Sequence, residues 1–425
     1  MTPEIIFTLV TIVVMFVLML TEIIPLPATM ALTGIALMFG GIVTPSSVYS
    51  NFGGSTIIFL IVMSLIVDAL TETGIIQNLS DLVFRGKILV NQRFAIFVTC
   101  MFSGIATGFL SNTALVVMLI PVLAALVLKS NGNLRLKYLL LGVATEATVG
   151  GSISLIGGAP NLATQGALEE AGVETMGFFS AAPLSIILVI VTAIYFATLG
   201  YNIMRKVCNF DDTEITKNAA PTNRVSAPTW KKVVSLAVLV GCIICFILDI
   251  GDNQIIGFIG VAILWITRCT KPGPALKAVD WNTMWVLNFA LVVAAAVIQS
   301  GTAAYVADFI LVLCGGENAS YVLVLLVVLA IGGVLTQVLS NTATNAMFTP
   351  ICISLAASLG ISPLAIAIPS MLMVNCAVTS PLGSPCMTVA LNGGYRPKDY
   401  LLVGLPLLII LIPFNIFGSL IIYGV

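Results

Sequence analysis

Two strings of this chain, TGFLSNTALVVMLIP at 107–121 and TQVLSNTATNAMFTP at 336–350, set a Ser-Asn-Thr triplet inside long apolar runs. They share the frame T-x-x-L-S-N-T-A-x-x-x-M-x-x-P, with eight of fifteen positions identical. Ser, Asn and Thr are favoured at helix N-caps, so each triplet is expected to start a helix whose free N–H groups and positive dipole end favour an anion. The same hydroxyl and amide oxygens are hard ligands suited to a small cation. Thr107 and Ser111, like Thr336 and Ser340, are four residues apart and are expected to share a helix face. A small cation and an anion could therefore be bound side by side.

Downstream of each triplet lies a second interruption. EATVGGSISLIGGAPNLAT, at 146–164, carries four glycines with Pro160 and Asn161, and NCAVTSPLGSPCMTVAL, at 375–391, carries Pro381, Gly383 and Pro385. Pro and Gly free backbone carbonyls, and unwound carbonyls at mid-membrane depth can hold Na+; a packing kink is the alternative. Glu146 heads the first interruption, and an ionisable residue at membrane depth is functional by default. It could carry a coupling proton or help hold a cation. It could also lie near enough to the end of its span, after Lys137, to be solvated. Asp68, Glu72 and Asp308 fall near span ends or polar faces and read as structural.

The elements that must position these residues are membrane spans. Of the 425 residues 59% are hydrophobic and 8% charged, against roughly a quarter charged in an ordinary soluble domain. Apolar segments fall near 5–24, 28–43, 55–79, 94–128, 139–165, 181–203, 232–249, 254–267, 283–313, 321–359, 363–390 and 401–424, many of them near the length that crosses a bilayer. The chain reads as an integral membrane protein with the lipid bilayer as its solvent. A net charge of −1 argues against nucleic acid as a partner. The absence of His removes the commonest metal ligand, general base and proton shuttle, which argues against a metal enzyme or an intramembrane protease. The C-x-x-C pair Cys242 and Cys245 lies in an apolar run with no partner ligands and reads as core. MTPEIIFTLV lacks the basic flank of a signal peptide, so the first apolar run is expected to stay as a span.

The runs 94–128 and 321–359 are too long for one span and short for two. Folded as re-entrant hairpins, their arms of about 24 Å bring the triplets near the middle of a bilayer core of about 30 Å. Two complete spans joined by an ordinary turn are the alternative and leave the same topology. With hairpins, all seventeen Lys and Arg fall on one side, which the positive-inside rule makes cytoplasmic. The clusters are Arg85, Lys87 and Arg93; Lys129, Arg135 and Lys137; Arg205 to Lys232; Arg268, Lys271 and Lys277; and Arg396 and Lys398. Glu169, Glu170, Glu174, Asp249, Asp252 and Glu317 fall outside, as do both termini of what reads as a multi-pass cell-membrane protein. The polar stretch 205–231 reads as a cytoplasmic linker between halves 1–204 and 232–425. Each half has about five spans plus one hairpin, 94–128 entering from the cytoplasm and 321–359 from outside. An odd number of crossings turns the halves over, so the expected fold is an all-α polytopic membrane protein of two inverted-topology repeats.

Paired SNT hairpins, each followed by a Gly/Pro-rich broken helix of the I-G-x-x-P-N type, resemble the divalent anion:sodium symporter family of dicarboxylate, citrate and sulfate carriers. The resemblance spans the chain from residue 5 to its end. It implies a first sodium site from the side chains of Thr107, Ser111 and Asn112 with the backbone at Gly157, and a second from Thr336, Asn341 and the backbone at Leu339 and Gly383. It implies that substrate carboxylates meet Asn112, Thr113, Asn341 and Thr342, with Gly158 and Pro385 close by. An elevator-type transporter with a homodimeric scaffold is implied, with sodium ions co-transported and no organic cofactor. Two positions depart from the family pattern. Cys386 and Met387 stand where Pro and Asn are expected, and Gly158 stands where a hydroxyl or second Pro is common. The function expected is sodium-coupled symport of a C4-dicarboxylate such as succinate, malate or fumarate. A proton-coupled carrier or exchanger for citrate, tartrate or sulfate is the alternative, and no enzyme activity is expected.

Overall fold

The computed structural model describes residues 1–84, 86–219, 227–316 and 319–424, and among these residues the chain forms helices and turns with no strand. The first series is α1 (Pro3–Thr21), α2 (Leu26–Phe39), α3 (Pro45–Ser50), α4 (Ser55–Thr73), α5 (Ile75–Val83), α6 (Gln92–Thr107), α7 (Asn112–Lys129), α8 (Leu140–Gly150), α9 (Ala159–Glu170), α10 (Ala182–Tyr195) and α11 (Tyr201–Val207). After the short α12 (Thr213–Ala219) a second series follows. It comprises α13 (Thr229–Ile247), α14 (Asn253–Ile266), α15 (Pro272–Ala278), α16 (Trp281–Gln299), α17 (Thr302–Leu313), α18 (Tyr321–Leu335), α19 (Asn341–Leu359), α20 (Leu364–Asn375), α21 (Pro385–Ala390) and α22 (Pro397–Tyr423).

Three pairs of helices in corresponding positions have the same length in the two series. Helices α1 and α13 have 19 residues each, α2 and α14 have 14 each, and α4 and α16 have 19 each. Both hairpin positions are occupied by paired helices with a short turn between them, α6–α7 and α18–α19. Two apolar runs that read as continuous are split by glycine: Gly74 and Gly301 both adopt left-handed backbone, with φ of 74° in each, and end α4 and precede α17 respectively. Only a residue without a Cβ takes that conformation freely.

Eight stretches among the described residues are long and apolar enough to cross a membrane. Helices α1 and α13 leave most of their apolar residues uncovered, including Val10, Val13, Val14 and Val17, whereas α16 and α19 are mostly buried. Such an apolar exterior is stable in lipid and not in water. The two series interlock: α2 packs on α16, α14 on α4, α19 on α9 and α7 on α21. Close backbone approach carries the tightest of the contacts within the first series. A Cβ on Gly150 of α8 would lie 2.0 Å from the Gly104 carbonyl oxygen of α6.

The first part of the expected linker 205–231 is folded against the helices. Asp212 accepts a hydrogen bond from the Lys137 N–H at 3.0 Å, and the Lys137 ammonium donates to the Phe210 carbonyl at 2.5 Å. Tyr395 donates to the Lys137 carbonyl at 2.6 Å and stacks edge-on with Phe210, so three chain segments meet at one corner. Residues 220–226, with Arg224, lie outside the described residues, as do Arg85 and Glu317 and the side chain of Lys87.

The Gly150–Gly104 approach leaves no room for a methyl group. Gly150→Ala is expected to lower stability by about 1–3 kcal/mol, read as a fall in Tm of the detergent-purified protein. Gly241→Ala, with nothing within 4 Å of the added carbon, leaves Tm unchanged or higher.

Candidate functional site

Both triplets begin helices, as expected. Ser111 and Ser340 are the N-caps of α7 and α19, and in neither case does a side chain close the cap. The serine hydroxyls are therefore not spent on their own helix ends. The predicted shared face for Thr107 and Ser111 is not found, because α6 ends at Thr107 and the turn runs between the two residues; Thr336 likewise precedes the turn to Ser340. In both hairpins the chain reverses between the threonine and the serine, so the period-four spacing of one helix does not apply.

The interruptions downstream are real breaks. Residues Gly151–Gly158 separate α8 from α9, and Cys376–Ser384 separate α20 from α21. Each break lies against its hairpin tip. A Cβ on Gly157 would lie 2.1 Å from the Gly151 carbonyl oxygen and 2.8 Å from that of Thr107. In the second unit, a Cβ on Gly383 would lie 2.6 Å from the Thr336 carbonyl oxygen. In both units the threonine of the tip presents its carbonyl to the glycine of the break. The Thr107 hydroxyl itself donates back to Ser103 O at 2.8 Å, and the Thr336 hydroxyl reaches Asn341 Oδ1 at 2.5 Å. The Ser154 hydroxyl further ties the first break to the Gly108 carbonyl of the tip.

One cavity of about 1100 Å³ is bordered by both units. Ser111, Asn112, Thr113, Gly157 and Gly158 reach it from the first, and Asn341, Thr342, Gly383 and Pro385 from the second. Thr107, Thr336 and Leu339 stand behind this lining, and Leu339 is buried in its tip. Asn112 Oδ1 is shielded from solvent without a hydrogen-bond partner, beside the Gly151 backbone. No Lys or Arg borders the cavity among the described residues; its charged members are Glu22, Asp68 and Asp280. Cys386 faces Thr113 across the units at 4.0 Å, so a sulfur occupies part of the wall where the family pattern expects a proline. Met387 is fully buried against Thr145.

The brace of the second break, Gln337, is a residue that its sequence pattern did not single out, whereas the brace of the first, Asn161, belongs to the P-N of its motif. Gln337 donates to Gly333 O at 2.8 Å and to Cys376 O at 3.0 Å, while its own oxygen accepts from the Thr379 N–H and hydroxyl, both at 2.8 Å. In the first unit Asn161 does the equivalent work, donating to Gly151 O at 2.8 Å and Ser154 O at 2.9 Å. The Asn that would brace the second break from its own following helix is Met387 here, and the hairpin supplies Gln337 instead.

Glu146 is fully buried in α8, away from the cavity lining, and neither carboxyl oxygen has a hydrogen-bond partner. The solvated alternative is therefore not what the fold contains. The break after Gly150 places this residue in the packed middle of the protein, where Gly104 of α6 leaves room for Oε2.

Comparison with known proteins decides the family. The citrate transporter family matches over residues 16–369 and again over 281–424. This chain belongs to that family. A sodium-dependent dicarboxylate transporter of Staphylococcus saprophyticus is 25% identical over 420 residues, covering 88% of this chain and 78% of that protein. An uncharacterized transporter of Methanocaldococcus jannaschii is 24% identical, covering 96% and 92%. An uncharacterized transporter of Synechocystis is 34% identical over 196 residues, which span only 32% of its length. Among solved structures, the YdaH transporter of Alcanivorax borkumensis aligns over 98% of each chain with a TM-score of 0.63 at 16% identity. The antimetabolite efflux pump MtrF of Neisseria gonorrhoeae aligns over 88% and 83% with a TM-score of 0.59, also at 16% identity. At that identity the two structures establish a shared fold and no more. The protein is thus a multi-pass membrane transporter of the citrate transporter family, as the SNT resemblance implied, and not an enzyme.

In this transporter Gln337 is the brace of the second break. Gln337→Ala strands the Thr379 N–H and the Cys376 carbonyl, and is expected to cost about 2–4 kcal/mol. In a background with the other cysteines replaced by Ser, maleimide labelling of the buried Cys376 should then be at least ~10-fold faster.

Proposed function

We propose that the protein is a sodium-coupled symporter of a small divalent carboxylate, with a C4-dicarboxylate such as succinate, malate or fumarate as its substrate class. The observation that carries this reading is the cavity itself, bordered by two matching tip-and-break units and free of Lys and Arg among the described residues. An anion there has hydroxyls, amides and the N-termini of α7 and α19 to meet it, but no fixed cation. Two negative charges drawn out of water need positive charge nearby. Co-bound sodium supplies it, and the sodium-dependent relative in Staphylococcus favours that ion.

On this reading the first sodium is held around Thr107, Ser111, Asn112 and Gly157, and the second around Thr336, Leu339, Asn341 and Gly383. Substrate carboxylates meet Asn112 and Thr113 from one side and Asn341 and Thr342 from the other, with Gly158 and Pro385 adjoining. The same order of hairpin and downstream break in α1–α10 and α13–α22, with equal lengths at α1/α13, α2/α14 and α4/α16, supports two repeats, 1–204 and 232–425, and an odd number of spans in each would invert one against the other. The basic clusters favour the linker on the cytoplasmic side of the cell membrane and both termini outside. A group carrying both hairpins moves against a dimeric scaffold in an elevator cycle.

A second reading, a proton-coupled carrier for citrate, is favoured by the unpartnered buried carboxyl of Glu146. The two separate in proteoliposomes. An inward Na+ gradient is expected to raise the initial rate of labelled succinate uptake at least ~10-fold over K+, and Asn112→Ala or Asn341→Ala to weaken substrate affinity by about 1.4 kcal/mol or more. Uptake indifferent to Na+, driven by a pH gradient and lost in Glu146→Gln, would replace the sodium reading with the proton one.

A further inference from the structure

We infer that Asn375 is a positioning residue that links the two cation sites into one cooperative unit; the inference rests on the sodium-coupled reading above. Asn375 is the last residue of α20, immediately before the second break, and its side chain crosses to the first unit. It donates one amide hydrogen to Ser152 Oγ at 2.7 Å and the other to Asn161 Oδ1 at 2.9 Å. Its own oxygen accepts from Asn345 Nδ2 at 2.9 Å. Asn345 lies one turn into α19, on the same helix face as Asn341 of the second tip. Asn161 passes the chain on, since both its amide hydrogens hold the break carbonyls Gly151 O and Ser154 O. The Gly151 carbonyl is the one pressed on Gly157, beside Thr107 O.

A continuous line of hydrogen bonds therefore runs from the second hairpin through Asn345, Asn375 and Asn161 to the backbone of the first break. All three asparagines and Ser152 are buried, at 4% exposure or less. Asn375 and Asn161 also border the cavity, but both amide hydrogens and the oxygen of Asn375 are engaged within the protein, and that engagement is what holds the geometry. Inside a low-dielectric core such a chain is reinforced along its length, and it is rigid only when every member is satisfied. A shift of the second unit on binding its cation must move Asn375, and Asn375 cannot move without moving the loop that shapes the first site. Sodium binding at one site then favours binding at the other, which gives a Hill coefficient above one.

The test is sodium-dependent succinate uptake by the full-length chain in proteoliposomes, fitted for Hill coefficient and half-saturating Na+. Wild type is expected to give a Hill coefficient of about 2. Asn375→Ala is expected to bring it to about 1 and raise half-saturating Na+ about 10-fold, with the maximal rate at saturating Na+ within threefold of wild type. Asn161→Ala should act alike, and the double variant should be no worse than either single one. Asn415→Ala, which removes another buried asparagine bonded to the Pro369 carbonyl at 2.9 Å, should leave the sodium curve unchanged. Should Asn375→Ala not survive purification, Asn345→Ala, which removes one donor to Asn375, carries the same test at smaller amplitude. An unchanged Hill coefficient in Asn375→Ala or Asn345→Ala, or an equal drop in Asn415→Ala, overturns the inference and leaves the sodium reading intact. A wild type indifferent to Na+ overturns both.

Discussion

A backbone carbonyl without a partner at the depth of a bilayer costs several kcal/mol, so non-helical chain survives there only inside protein or along a watery cavity. Two hairpin tips and two breaks interrupt the helices among the described residues, and each is packed inside the protein or along its cavity. Each break is pressed against its tip, glycine to threonine carbonyl, at Gly157–Thr107 and Gly383–Thr336. Carboxamides then take up what the breaks leave over: Asn161 for the first, Gln337 for the second. Asn112 Oδ1, which has no hydrogen-bond partner, and the first turns of α7 and α19, which no side chain caps, lie at the large cavity both units border. The proposed binding site is what that packing leaves open.

The same constraint explains the asymmetry between the breaks. The first is braced from its own following helix by Asn161, while the second has Met387 at the matching place and depends on the hairpin residue Gln337. A side chain of the hairpin thus holds the second break directly, so tip and break are a single mechanical piece there. In the first unit the corresponding tie is lighter, with Ser154 bonded to the Gly108 carbonyl.

Much of this was legible in the sequence because polar and helix-breaking residues are conspicuous in apolar runs. The SNT triplets, the glycine- and proline-rich breaks and the absence of basic residues near them needed only pattern and composition, and the structure brings them to one cavity. Of the bracing residues, Asn161 stood in the motif but its role did not show, and Gln337 was not legible at all. Gln337 occupies a variable position of the tip frame, and its partners lie about forty residues on in a loop with no periodicity. Asn345 and Asn375 carry no local signature either, since their pairing exists only once α19, α20 and the first break have met. Glu146 was ambiguous for the opposite reason. Distance from Lys137 along the chain suggested a span end, but the break at Gly151 shortens α8 and leaves Glu146 fully enclosed.

The central claim is that the cavity holds an anion only together with sodium. It is tested most directly by thermal unfolding of the purified protein with succinate, citrate or sulfate, each in Na+ or in K+, because a ligand that binds only the folded state raises Tm by mass action. The account predicts that a dicarboxylate raises Tm in Na+ and has no effect in K+. An equal rise in both salts would contradict it.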